Sequence, residues 1–380
     1  MNLEDIIEKT KTYYCLECGK CTSICPVSRH NPNFSPRLML ERALMDFECE
    51  LVHDRELFSC LTCYACSNLC PSEVDYPVFT HKVRSLASDR GEHGDCAHSG
   101  ILFSLMRLTA HSGIKQKRLD WLDGCRTLQK SEVLYFVGCA PYFEPVFEDI
   151  EVSPANIARN SIRILNALGI EPMLLPNERC CGHDLLWTGD VETFKKLAQL
   201  NAEVIKESGA KKIVFSCPEG YRTFKLDYPT YVDLGCEVLH ISELLAEKIV
   251  QNGAKFKEIK KNVTYHDPCR LGRHLGIYEP PREIIRAIPG MELVEMEHNA
   301  NNSICCGTSA WTNCGSYSKK IREERLLEAR ATGAEVLVTA CPKCEIHFKC
   351  AMVDKGAEKG PDIEMEVMDL VNVVADAMET

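Results

Sequence analysis

Between residues 131 and 350, short apolar runs alternate with longer amphipathic stretches, and they do so twice in the same order. In the first pass an apolar run at 132–137 ends at Cys139, and 156–168 has helical periodicity. A second short run occupies 172–175, 191–207 is helical again, and 212–215 is a run that ends at Cys217. The second pass reads 263–266 before Cys269, helix over 281–288, run at 293–296, helix over 318–331, and run at 336–339 before Cys341. Short β-prone runs separated by helices predict buried parallel strands with helices on their faces, hence two pseudo-repeated α/β units. Ahead of them the pattern is helical, over 3–11 and over 36–44, the latter with Ser35 as N-cap and Pro36 in the first turn. Residues 81–130 start polar and then alternate apolar and basic positions through 101–121, which predicts a helix packed on the protein's own domain or, alternatively, a docking face. An amphipathic helix with a core-facing side is expected over 367–378. The predicted class is α+β: an α-helical domain over 1–90, a helical linker over 91–130, and α/β domains over 131–255 and 256–380.

A chain of 380 residues, 45% of them apolar, can bury the cores these units need. A net charge of −11 with no basic stripe argues against nucleic acid as a partner. The longest apolar stretch, 101–110, contains Arg107 and is about half the ~18 residues that span a bilayer, so a membrane connection is expected only through a partner. The basic runs 115–118 and 257–261 read as solvated faces.

Cysteine changes this picture most. There are 23, and seventeen fall into metal-ligand spacings. A secreted disulfide scaffold is not expected, because the residues before the first cysteines lack a secretory pattern, and a reducing, cytoplasmic setting is. Cys15, Cys18, Cys21 and Cys25-Pro26 form a Cys-x-x-Cys-x-x-Cys-x-x-x-Cys-Pro run that returns as Cys60, Cys63, Cys66 and Cys70-Pro71. This is the spacing of bacterial two-cluster ferredoxins, in which the fourth cysteine of each run serves the other cluster. Cys15, Cys18, Cys21 and Cys70 are thus expected to hold one 4Fe-4S cubane, and Cys60, Cys63, Cys66 and Cys25 a second, the two together forming an electron wire. In the second α/β unit Cys269 is followed by the adjacent pair Cys305-Cys306-Gly307 and by Cys341-Pro342-Lys343-Cys344. Five sulfurs exceed what a cubane or a structural zinc takes, and neighbouring cysteines suit different irons of an opened cluster.

The five-cysteine pattern, with the wording HDPCRLGRHLGIYEPPREI over 266–284, resembles the cysteine-rich CCG domain of the heterodisulfide reductase D/B subunit family. The N-terminal module is similar to the α-helical ferredoxin domains of succinate dehydrogenase and its relatives. The resemblance implies a non-cubane 4Fe-4S cluster on Cys269, Cys305, Cys306, Cys341 and Cys344, and an oxidoreductase acting on a sulfur group. A disulfide, of a small coenzyme or a carrier protein, would be reduced there, or thiols oxidised. The expected electron partner is a cytochrome b membrane subunit, an FAD-containing bifurcating subunit or an electron-transfer flavoprotein, with the chain attached to the inner membrane face through it. An alternative is an electron-transfer subunit like those of glycolate oxidase or anaerobic glycerol-3-phosphate dehydrogenase, passing electrons toward quinone. The first unit carries Cys139, Cys180, Cys181 and Cys217 but has Gly220 where the second has Cys344. Three readings stand there: a degenerate site shaping the substrate pocket, a four-thiolate zinc or altered cluster, and a cluster with a substitute ligand. His183, Asp184, Tyr221 and Arg222 lie near those cysteines and are candidate polar groups of the pocket. Cys49, Cys236 and Cys350 are expected to be structural thiols, Cys49 a buried one. Cys314 is expected to be either a buried thiol or a further thiol of the active cavity, and Cys96, Cys125, His93, His98 and His111 suggest no site.

Overall fold

The structure, a computed structural model, describes residues 2–252, 255–312, 314–353 and 362–378. The chain is α+β. The N-terminal module is built from short helices whose starts are set by side-chain caps. Asn2 and Asp5 form a capping box on Leu3–Lys9, the Ser35 hydroxyl accepts from the Leu38 amide at the start of Pro36–Leu44, and Asp75 caps the longer helix Tyr76–Asp89. The helix expected over 3–11 ends at Lys9, because Lys11 adopts a left-handed φ of 59°. The helix Ile101–Thr109 packs through Leu102, Phe103 and Met106 into the core of the first α/β unit.

Each α/β unit is a parallel sheet. In the first, β1 (Val133–Phe136), β2 (Lys212–Phe215) and β3 (Glu237–His240) lie in the order β1-β2-β3. The second contains β4 (Lys261–His266), β5 (Met291–Leu293), β6 (Val336–Thr339) and β7 (Glu366–Asp369) in the order β5-β4-β6-β7. The central strands are buried on both faces over 263–266 and Val336–Thr339. Cys139, Cys217, Cys269 and Cys341 follow β1, β2, β4 and β6, which brings them to the carboxyl ends of the strands, where ligands of open α/β sheets collect. The helix Pro154–Ala167 of the first unit packs on Leu370–Ala377 of the second, with Asn160 Nδ2 donating to Asn372 Oδ1 at 3.0 Å.

Several expectations are corrected. The strand at 172–175 reduces to one bridge between Leu134 and Met173, since Pro172 and Pro176 bracket it and lack the amides a ladder needs. The segment 367–378 is not one helix: it continues β7 to Asp369, whose carboxylate then caps Leu370–Ala377. Cys49 is exposed on the outer side of Glu48–His53. Within the basic run 115–118, Arg118 is buried, where its guanidinium donates to Glu178 Oε1 at 2.8 Å and to the Gly138 carbonyl at 2.6 Å. No helix among the described residues is long and apolar enough to cross a membrane.

The ferredoxin-like module is held to both α/β units. Val27, Phe79 and Val83 share a core with Ile321, Leu326 and Phe348 of the second. Against the first, the turn after helix His183–Thr188 presses on Tyr76–Asp89. Gly189 there has φ 99°, and a Cβ would sit 2.3 Å from the Arg84 carbonyl oxygen. Only glycine meets both conditions. Gly189→Ala is expected to cost ~2 kcal/mol or more through strain and backbone overlap, read as an earlier thermal transition of the anaerobically purified chain. An unchanged transition would show that this seam carries no weight.

Candidate metal centres

Two copies of one loop build the N-terminal sites. In Cys15–Cys18 and Cys60–Cys63 the third residue, Glu17 or Thr62, has left-handed φ (49° in both), as does the residue after the second cysteine, Gly19 (76°) or Tyr64 (66°). These turns face the sulfurs inward and leave amides to point at them; the Thr62 amide donates to Cys60 Sγ at 3.3 Å and the Val74 amide to Cys70 Sγ at 3.4 Å. Cys15, Cys18, Cys21 and Cys70 line a cavity of about 30 Å³ at the surface, with Cys66 at its edge. Cys25, Cys60, Cys63 and Cys66 line a second, of about 20 Å³, deeper in the molecule. In each, three cysteines of one run meet the last cysteine of the other, and four sulfurs about a small void suit a cubane. The outer set is partly open, with Cys18 exposed, whereas Cys60 and Cys63 are buried.

The second α/β unit gathers all five of its cysteines. The Cys305 thiol lies near enough to Cys269, Cys306 and, across the module boundary, Cys63 for these thiols to perturb one another, as do Cys306 with Cys344 and Cys344 with Cys341. As the shared donor, Cys305 lowers the Cys269 and Cys63 thiols, and Arg270 and Arg273 add to this. Cys306 is held well below the usual thiol range by Cys305 and Cys344, and then by His347, whose Nδ1 lies 3.2 Å from Cys306 Sγ. His266 offers a ring nitrogen within 4.8 Å of both Cys306 and Cys344 sulfurs. His266 Nε2, His347 Nε2 and the Arg322 Nε and Nη1 are buried with no hydrogen-bond partner, an arrangement that fits an anionic group held among these thiols. Gly307 is required next to the pair: its φ is 86°, and a Cβ would fall 2.7 Å from the Ser318 carbonyl. A cavity of about 60 Å³, lined by Arg273, Asn301, Asn302 and Ser303 among others, reaches Cys305 and Cys63.

The first unit brings Cys139, Cys180, Cys181 and Cys217 around a cavity of about 50 Å³, with Cys139 and Cys180 sulfurs 3.3 Å apart. A side chain at Gly220 would crowd Phe215, whose ring carbon lies 3.2 Å from the Cβ position, so a fifth sulfur has no room without that ring moving. Mutual thiol contact and burial hold Cys180 and Cys181 well above the usual thiol range, and burial does the same to Cys217, so this set lacks lowered thiols like Cys269 and Cys306 of the second unit. The wall of this cavity is a charged cluster that spacing did not reveal. Lys343, from between Cys341 and Cys344, reaches across to Asp184 Oδ1 and Glu219 Oε2, both at 2.6 Å. His183 donates to Asp184 at 3.0 Å and accepts from Arg270 Nε at 2.9 Å. His183 and Asp184 line this cavity of the first unit, not the one that reaches Cys305, whereas Arg222 points away to Asp227 and His274, and Tyr221 is buried beside His240. Cys314, expected to be either a buried thiol or a thiol of the active cavity, is exposed, and with Cys96 and Cys350 it lines a separate cavity of about 620 Å³. His98, which lines that cavity, meets Trp311 edge to face, and Trp311 meets His347 in the same way.

Residues 133–225 and 263–349 match the CCG cysteine-rich domain, and residues 11–74 match a 4Fe-4S dicluster domain. The chain is similar to the D subunit of the dihydromethanophenazine:CoB–CoM heterodisulfide reductase of Methanosarcina acetivorans, 36% identical over 70% of this chain and 63% of that one. It thus spans less than two thirds of the length of that relative. The B subunit of the fumarate reductase (CoM/CoB) of Methanothermobacter marburgensis is 28% identical over 97% of this chain and 74% of its own. A solved hypothetical protein from Helicobacter pylori shares the fold, with TM-score 0.62 and 11% identity over all of this chain and 77% of that one.

Against burial, Lys343 and then His183 hold the Asp184 carboxyl well below its ordinary value, and Asp184 and Glu219 push the Lys343 ammonium up. A carboxylate with a depressed native pKa stabilises above its unfolded value of about 4 and loses that contribution as pH falls below it. Lys343→Met leaves two buried carboxylates without their cation and is expected to cost ~3–5 kcal/mol at neutral pH. The cost should shrink on acidification in denaturation curves; a pH-independent difference would assign the loss to packing instead.

Proposed function

Because the chain is an iron–sulfur protein of the CCG cysteine-rich domain family, carrying a 4Fe-4S dicluster domain and two CCG domains, we propose that it is the disulfide-reducing subunit of a heterodisulfide-reductase-like complex. In this reading Cys15, Cys18, Cys21 and Cys70 hold an outer 4Fe-4S cubane, and Cys25, Cys60, Cys63 and Cys66 an inner one. Cys269, Cys305, Cys306, Cys341 and Cys344 hold a non-cubane cluster. When bound there, such a cluster supplies single electrons and an iron open to sulfur.

The observation that carries the proposal is the proximity of the Cys305 thiol to Cys63 on one side and to Cys269 and Cys306 on the other, beside a cavity that Cys63 and Cys305 both line. One residue thus stands where the electron path from the ferredoxin-like module ends and where a small molecule can enter. Arg273, Asn301 and Asn302 present polar groups to whatever enters. Burial of Cys305, Cys306, Cys341 and Cys344 excludes bulk water from the sulfurs. The net reaction adds two electrons and two protons to RSSR′ to give RSH and R′SH, the electrons arriving singly from a redox partner protein of the flavin or cytochrome class. The first CCG set lacks the fifth sulfur, its acidic neighbours already have Lys343 as counter-ion, and it lines a cavity of its own, so no substrate sulfur is assigned to it. The substrate is a disulfide of a small coenzyme or a carrier protein, in a cytoplasmic setting, with any membrane attachment made by the partner.

The test is EPR of the oxidised, anaerobically purified chain titrated with thiols, together with disulfide turnover driven by an artificial one-electron donor. A thiol-dependent signal that disappears in Cys305→Ala, with turnover falling to background, is the expected result. No response to any thiol and no turnover, with reducible cubane signals intact, would instead make the chain an electron relay for a flavoprotein dehydrogenase.

A further inference from the structure

The two cysteine loops of the N-terminal module share spacing and backbone conformation, but their charge environments differ. Three guanidinium groups converge on the inner loop. Arg84 Nη2 donates to the Cys60 carbonyl at 2.8 Å, Arg270 donates to the Thr62 carbonyl at 2.5 Å and to Thr62 Oγ1 at 2.7 Å, and Arg273 Nε donates to the Cys63 carbonyl at 2.6 Å. The remaining donors of Arg84 go to the carbonyls of Leu57 and Trp187, those of Arg273 to Asn301 and Ser303, and Arg270 Nε to His183. Among the described residues none of the three has a carboxylate within ion-pair distance. Arg84 and Arg270 are buried, and Arg273 is half-buried.

Buried guanidinium charges without acids are costly unless another anion compensates them, and sulfurs of the inner and CCG sets lie beside them as anionic candidates. The outer loop, Cys15–Cys18, has no such donors among the described residues. Its nearest guanidinium, Arg37, lies 3.0 Å from Glu41 and 3.8 Å from Glu17, and exposed Cys18 admits solvent screening.

We propose that Arg84, Arg270 and Arg273 are potential-setting residues that make the inner cysteine set more readily reduced than the outer one, so that electrons entering at the surface run inward toward Cys305. The proposal rests on the ligand sets assigned above. Each electron added at the inner set is a negative charge placed among two buried cations and a half-buried one at low dielectric, whereas one added at the outer set is balanced by solvent.

The test is an EPR-monitored redox titration of the full anaerobic chain. Two ferredoxin-type signals are expected, and Cys18→Ser should alter only the one of lower potential. Arg273→Gln should shift the upper couple at least tenfold toward the oxidised form, about 59 mV for one electron, and leave the lower couple in place. Arg273→Lys, which keeps the charge, should restore most of the shift, and Arg84→Gln, acting from the opposite side, should move the same couple in the same direction. Iron content of each variant reports loading. The proposal is overturned if Cys18→Ser alters the upper couple in the otherwise native chain, if both couples shift together, or if neither does. Loss of both signals in Cys18→Ser would instead strike at the ligand assignment itself, and the proposal would fall with it.

Discussion

Anionic sulfur cannot be taken out of water unless positive charge goes with it, and most of the unusual features of this protein follow from that constraint. The inner cysteines sit under Arg84, Arg270 and Arg273, and the five thiols of the second CCG domain are ringed by His266, His347 and Arg322, which have unspent donors. The parallel sheets serve the same end, since their strands deliver the cysteines to one edge where loops and helix starts bring amides and basic side chains together.

The two CCG domains differ at one position of a duplicated cysteine pattern, Gly220 against Cys344. In the first, Phe215 lies where a sulfur at position 220 would need space, and no arginine lowers its thiols. Lys343 does enter, but Asp184 and Glu219 hold it. A cation contributed by the complete copy is therefore neutralised in the incomplete one, so the pair works as one asymmetric body.

Much of this was legible in the chain. The strands Lys212–Phe215 and Val336–Thr339 fall where uninterrupted apolar runs put them, because strands buried on both faces need no alternation to be seen. The cysteines were legible through spacing, which the two-cluster loop and the CCG pair demand for geometric reasons. What was not legible is single-residue chemistry: Lys343, Glu219, Arg84 and Arg322 have no period or motif. The signal for Arg270 and Arg273 was their place one and four residues after Cys269. β3 and β7 were missed because their mixed polar sequences, EVLH and EVMD, gain strand character only from the neighbours they pair with. Cys49 and Cys314 were misjudged because burial of an unmatched cysteine depends on which side of a short helix or loop it falls.

The donors that complete the inner loop come from residues 270 and 273, some two hundred positions after Cys63. On the ribosome the N-terminal module emerges long before them, and during that interval it exposes a half-finished nest of sulfur. The inner loop is therefore completed only when a later-made domain closes over the earlier-made module.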